Sequence, residues 1–291
     1  MSTFNKVPAS AGAEWLLGGF ALLRKAPLAL GLLGVMWGLL SLLVMQVMAV
    51  NVTVGLLLQL GLGVLQPLLF AGVVWAVHEV DHERPALPGH LLHAFKGERV
   101  ASLLSTLLPQ VAAVLALGAL LLLMIGPSQV QLLIEAGAEI QRVSEAGGQP
   151  DPALIRDLPV GRFLLWILLM FAAALAVALL TFVAVPDILL GGNPGLVAMR
   201  NSLGACIHNL PALVVFAVLL LISLLVITLF VQLISMVVQL AAGPLAALWV
   251  SNLLLMGVLM PLLAGAVYHA WRQLLGPSDL AAVTPQAHFE A

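Results

Sequence analysis

Six stretches of this chain consist almost entirely of apolar side chains, near 28–50, 54–78, 101–125, 162–186, 211–236 and 246–271. Each is long enough to carry a helix across a hydrocarbon core, which takes about 20 residues. Within that core every backbone N–H and C=O must be satisfied internally, so only helices and closed barrels span it. A barrel needs short segments of alternating polarity, whereas these runs are continuous. The sequence therefore predicts an all-α, polytopic membrane protein with six transmembrane helices. No Asp, Glu, Lys or Arg falls in the interior of a span; Arg162 stands only at an end.

Composition narrows the function classes. Of 291 residues, 62% are hydrophobic and 8% charged, against roughly 45–50% and about 25% in soluble domains. That excludes a water-soluble globule and a disordered chain. The net charge of −2 provides no basic surface for a phosphate backbone, so no nucleic acid is expected as a partner. The one cysteine, Cys206, cannot form a disulfide within the chain or a Cys-rich metal site. No P-loop, dinucleotide fingerprint or serine-nucleophile elbow occurs, and no cofactor is expected.

The cations set an expected orientation. Lys6, Arg24, Lys25, Arg84, Lys96, Arg99, Arg200 and Arg272 fall on one side of the spans. Arg142, Arg156 and Arg162 fall on the other, with Glu135, Glu139, Glu145, Asp151 and Asp157. The positive-inside rule then puts both termini in the cytoplasm. The first apolar stretch is too long and too far into the chain for a signal peptide, so it is expected to stay as an anchor. Residues 1–275 read as one membrane domain, and 276–291 as a polar, disordered tail. The loop 127–160 reads as an acidic helical hairpin: a helix from Gln129 to Glu145 ended by Gly147-Gly148, then a second opened by Asp151-Pro152. It either caps the bundle or meets another membrane protein.

The chain also reads as three copies of one unit, a short amphipathic connector followed by a two-span hairpin. The connectors are expected near 9–25, 89–99 and 194–209. Trp15, Leu16, Phe20 and Leu23 share a face of the first, and Leu91, Leu92 and Phe95 a face of the second. Leu196, Met199, Leu203 and Ile207 share a face of the third, opposite Asn201, Ala205 and His208. Apolar faces flanked by cations suit helices lying in the membrane interface among lipids. Trp15, Phe20, Arg24, Lys25, Phe95, Lys96 and Arg200 are the expected interfacial residues. Pro67-Leu68-Leu69-Phe70-Ala71-Gly72 in the second span nearly repeats as Pro261-Leu262-Leu263-Ala264-Gly265 in the sixth. With Pro186 in the fourth, each even span is expected to kink.

A resemblance rests on three strings: Val7-Pro8-Ala9-Ser10 to Trp15, Arg24-Lys25-Ala26-Pro27, and Met199-Arg200-Asn201-Ser202 to Cys206-Ile207-His208-Asn209-Leu210-Pro211. They resemble a family of proteobacterial six-helix inner-membrane proteins of uncharacterised role. The last string is also distantly similar to the membrane domain that accompanies some glycerophosphodiester phosphodiesterases. The resemblance covers most of the chain. It implies a six-helix inner-membrane protein and brings no catalytic residues.

Candidate chemistry is sparse. His78-Glu79-Val80-Asp81-His82 matches H-E-x-x-H, which puts two metal-ligating histidines, His78 and His82, on one helix face with Glu79 as base. Asp81, Glu83 and Arg84 interrupt the uncharged surroundings that membrane metalloproteases usually keep, and Asp187 is the best third ligand available. Among neutral polar residues, Gln66 beside Pro67 and Gln110 beside Pro109 stand out, as partners for carbonyls freed at a kink or as points on a polar path. Gly61, Gly63, Gly118 and Gly265 are expected to let helices approach closely. The reading favoured on this evidence is a non-enzymatic scaffold, envelope-maintenance or lipid-interacting accessory protein. Its alternatives are a transporter or channel for a neutral or lipidic solute, and a membrane metalloprotease.

Overall fold

The computed structural model describes residues 4–149 and 160–276. Every regular element among them is helical. In chain order these are α1 (Ala11–Lys25), α2 (Pro27–Val50), α3 (Val52–Asp81), a 3₁₀ helix over Pro88–Lys96, α4 (Val100–Leu104) and a 3₁₀ turn over Ser105–Leu107. There follow α5 (Leu108–Met124), α6 (Pro127–Glu145), α7 (Val160–Thr181), α8 (Ala184–Leu189), α9 (Gly195–His208), α10 (Leu210–Ala242) and α11 (Pro244–Leu274). Six stretches are long and apolar enough to cross a membrane: Pro27–Val50, Val52–Asp81, Val100–Met124, Gly161–Leu189, Leu210–Ala242 and Pro244–Leu274. The chain is an all-α, multi-pass membrane protein. Prolines open α2, α6, α10 and α11 within their first turns, where a missing N–H costs nothing.

The helices form two compact units, residues 1–107 with 179–291, and residues 108–178. In the first, α2, α3 and α11 pack on one another and α10 packs on α11. Leu30, Leu33 and Trp37 of α2, Val73, Val74 and Val77 of α3, and Tyr268 of α11 share one core. A second core joins Trp15 of α1 to Phe216 of α10 and Leu262 and Ala266 of α11. Pro67 and Pro261 both lie inside their helices and are buried.

The three connectors follow one packing rule in this unit. Each seats on the last span of the hairpin before it: the 3₁₀ helix on α3, α9 on α8, and α1 on α11. The third hairpin therefore carries the first connector, and the order closes on itself. The glycines of the two proline strings make two of these contacts. A Cβ on Gly72 would fall on the backbone of the 3₁₀ helix, 2.6 Å from the carbonyl oxygen of His90. A Cβ on Gly265 would lie 2.9 Å from the Cα of Gly19 in α1. Both are closer than any real Cβ contact, so only glycine admits the connector.

The fourth span breaks rather than kinks. The helix stops at Thr181 and restarts at Ala184, ahead of Pro186. A hydroxyl from α9 fills the gap: Ser202 Oγ donates to the carbonyl of Leu179 (2.8 Å) and accepts from the amide of Val183 (3.2 Å). Leu179 and Val183 are four residues apart, the pair that an unbroken helix would bond directly. Ser202 is buried, so without it both backbone groups would be left unpaired.

Several expectations are corrected here. Gly61, Gly63 and Gly118 meet nothing within 4 Å, so of the four glycines only Gly265 admits a neighbour. The third span changes from α to 3₁₀ winding over Ser105–Leu107, so Pro109 stands at the start of α5 rather than within a kink. The second connector winds as a 3₁₀ helix and ends at Lys96. On α9 only part of the expected apolar face turns outward. Asn201, Ser202 and Ala205 are buried with Met199, while Leu196 and Ile207 are exposed.

In the second unit, Trp166 Nε1 donates to the carbonyl of Leu117 (2.9 Å) and Arg162 to that of Met124 (3.1 Å), joining α7 to α5. Arg162 thus satisfies one of the carbonyls left over at the end of α5. On α6, Arg142 pairs with Glu139 at 2.8 Å, and Gly147 ends the helix at a φ of +73°. The helix expected after Asp151-Pro152 and the tail beyond Gly276 lie outside the described residues.

Candidate functional site

The polar side chains of the first unit gather where α3, the connectors and α11 end together. Two nodes organise them. At the first, Asp81 in the last turn of α3 accepts from Arg272 (2.6 Å) and from the Tyr268 hydroxyl (3.0 Å), both on α11. His78 Nδ1 lies 3.3 Å from the same hydroxyl. His82 Nδ1 lies 2.8 Å from the carbonyl of His78 and so donates to it. Glu79 pairs with Arg84 at 3.3 Å. The two histidine rings are adjacent, with centroids 4.3 Å apart. No group of three His, Cys, Asp or Glu residues is placed to hold a metal ion among the described residues. Asp187, the expected third ligand, is engaged elsewhere.

Asp187 is the second node. It is 3% exposed and sits in α8, directly after Pro186. Its Oδ1 accepts from Asn193 Nδ2 (3.0 Å) and from Trp271 Nε1 (3.3 Å), and its Oδ2 from Asn201 Nδ2 (3.1 Å). The donors come from the loop after α8, from α9 and from α11, so one carboxylate ties three elements. All three donors are neutral side chains, and together they leave neither carboxyl oxygen without a partner. Arg99 supports the same turn from the other side. Its Nη1 donates to the carbonyls of Ile188 and Leu189 at the C-terminal end of α8, where a cation complements the free carbonyls.

A cavity of about 340 Å³ opens beside Arg99. Trp75 and His93 form its aromatic wall, their rings stacked at 4.2 Å and 6°. Ala94, Gly97, Glu98, Arg99, Leu103 and Leu189 complete it. Burial, and behind it the neighbouring His90, hold His93 below its usual pKa. A second hollow, of about 390 Å³, runs along Leu17, Phe20, Leu23 and Arg24 of α1 to Pro27.

The expected interfacial residues divide. Arg24, Lys25, Lys96 and Arg200 are exposed, and Phe20 and Phe95 are half-buried. Trp15 is fully buried, against the rings of Phe182 and Phe216. Its Nε1 donates to Gln273 (2.7 Å), which in turn donates to Glu14 (2.9 Å). It is an anchor of α1 on α11, not a lipid-facing residue. Gln66 on α3 and Gln110 on α5 are both exposed. Sequence reasoning missed Tyr268, Trp271, Asn193 and Arg99, whose partners lie on other elements. It also missed Asn209, which accepts from the amide of Val7 (2.8 Å) and donates to the carbonyls of Asn5 and Ala205. Of the second node, Asp187 and Asn201, the latter on the polar face of its connector, carried a local signal. Burial pushes the Cys206 thiol up to about 11, which makes it inert at neutral pH. No family model, curated protein or solved structure matches the chain.

Proposed function

We propose that this protein is a non-enzymatic accessory or scaffold protein of the bacterial inner membrane that works through phospholipid, with both termini in the cytoplasm. One observation carries the reading: every connector turns apolar side chains and a cation outward together. Leu17 stands with Lys25 on α1, Leu92 with Lys96 on the 3₁₀ helix, and Leu196 and Ile207 with Arg200 on α9. Apolar residues at the depth of the acyl boundary, beside cations at the depth of the phosphates, are what an interfacial helix presents. Eight of the eleven cations on the proposed cytoplasmic side support the orientation.

The test is native mass spectrometry of protein released from a mild detergent, wild type against a Lys25→Gln, Lys96→Gln, Arg200→Gln variant. The reading expects retained phospholipid that the triple variant loses. Equal retention by both overturns it, and stoichiometric zinc that disappears in His78→Ala would put a metalloprotease in its place. Orientation is read by maleimide labelling of cysteines introduced at Asn5 and Gln131, against an unreactive Cys206.

A further inference from the structure

The cavity beside Arg99 places opposite charges side by side. Glu98 and Arg99 are consecutive, and both line it with the stacked rings of Trp75 and His93. The guanidinium is fixed before any ligand arrives, because its Nη1 holds the carbonyls of Ile188 and Leu189. Gly192, at a φ of +76°, brings the loop after α8 alongside Nη2: a Cβ there would lie 3.4 Å from it. His93 is held toward its neutral form, so one anion and one cation remain. A purely anionic ligand would meet Glu98, and a simple cation would meet Arg99. A ligand carrying both charges satisfies both.

We propose that this cavity binds the headgroup of an ammonium-bearing zwitterionic phospholipid, its phosphate at Arg99 and its ammonium at Glu98. The proposal rests on the lipid-interacting reading above and names the lipid class. It gives the protein a choice among lipids that cations on the outer faces of the connectors cannot make, since those favour any anionic headgroup equally.

The experiment supplies phosphatidylethanolamine and phosphatidylglycerol of identical acyl chains in equal amounts to the detergent-solubilised protein and counts retained lipid by native mass spectrometry. Wild type is expected to retain phosphatidylethanolamine in preference, by roughly tenfold, the ratio that about 1.4 kcal/mol represents. Glu98→Gln removes the preference by exchanging a charge-assisted hydrogen bond for a neutral one. Its thermal midpoint serves as the control for folding, because Glu98 makes none of the fold's hydrogen bonds described above. Displacement by soluble glycerophosphoethanolamine would support recognition of the headgroup itself. A preference that survives Glu98→Gln, or equal retention of the two lipids, overturns the proposal. Equal retention that is lost in the Lys25, Lys96, Arg200 variant would leave the broader lipid reading standing and remove only this site.

Discussion

Asp187 Oδ2 and Asn201 Nδ2 meet at 3.1 Å, and both residues are at least 95% buried. The other amide atom, Asn201 Oδ1, is buried with no partner. An amide can turn over, so the site holds a spare acceptor. Asp187→Ala leaves the donors of Asn193, Asn201 and Trp271 unsatisfied and is expected to cost about 3 kcal/mol or more. Asp187→Asn is expected to cost much less. Its new Nδ2 can donate to Asn201 Oδ1 once that amide flips, while its own carbonyl serves Asn193 and Trp271. Thermal melting of the two variants in detergent checks the order; equal destabilisation would mean the negative charge itself is what the fold requires.

Ser202→Ala removes the hydroxyl that bridges the break in the fourth span. The buried Val183 amide is then unbonded and the half-buried Leu179 carbonyl loses its partner, at an expected cost of about 2 kcal/mol. Hydrogen exchange should quicken at Val183 before it does so in α10. Unchanged exchange would show that the helix can close the gap unaided.

Gly72→Ala and Gly265→Ala push a methyl group into a connector's backbone, and each is expected to destabilise by about 1–3 kcal/mol. Gly61→Ala and Gly63→Ala face open space. They should be neutral, or stabilise by up to about 1 kcal/mol through helix propensity. A melting series over the four variants separates glycines that admit a neighbour from those that do not.

Burial lowers the pKa of His93, which fixes the sign of a pH effect. A histidine depressed in the folded state contributes stability that is fully present above its unfolded value of about 6.5. That contribution is lost as the pH falls through the window between the unfolded and folded values, because the unfolded chain there binds the extra proton. Melting points measured from pH 7.5 to pH 5 should fall for the wild type and fall less for His93→Gln. Parallel curves would show that other groups govern acid sensitivity.

The six spans and the two proline strings were legible in the sequence because lipid imposes its constraint locally, residue by residue. The faces of the connectors were legible in part: Leu196 and Ile207 turn outward as an interfacial helix requires, whereas Trp15, Leu91 and Met199, also of the apolar faces, are buried. In a soluble protein the apolar face of an amphipathic helix points inward, and that rule would bury Leu196 and Ile207. Beside a membrane the outside is also apolar, so small and polar residues such as Asn201, Ser202 and Ala205 are free to take the protein side. Trp15 inverts the lesson: its position near Arg24 and Lys25 suggested the interface, yet its indole N–H has Gln273 as a partner from 258 residues away. The Asp187 node was hidden for the same reason. Asp187 itself stood out, but nothing near it in the chain indicates Trp271. The break at Thr181 goes further than a kink, at the place where the Pro186 ring would meet the carbonyl of Phe182; what was not legible is the hydroxyl on another helix that bridges it.

The seating of α1 on α11 has a bearing on how the molecule is made. α1 leaves the ribosome well before the surface it covers, around Leu262, Gly265 and Ala266. Until α11 is made, Trp15 and Leu16 lack the part of their cover that Leu262 and Ala266 supply. A nascent chain halted before Leu274 would therefore hold its first helix only partly fastened, more open to proteolysis, and completing the last span would be the event that protects it.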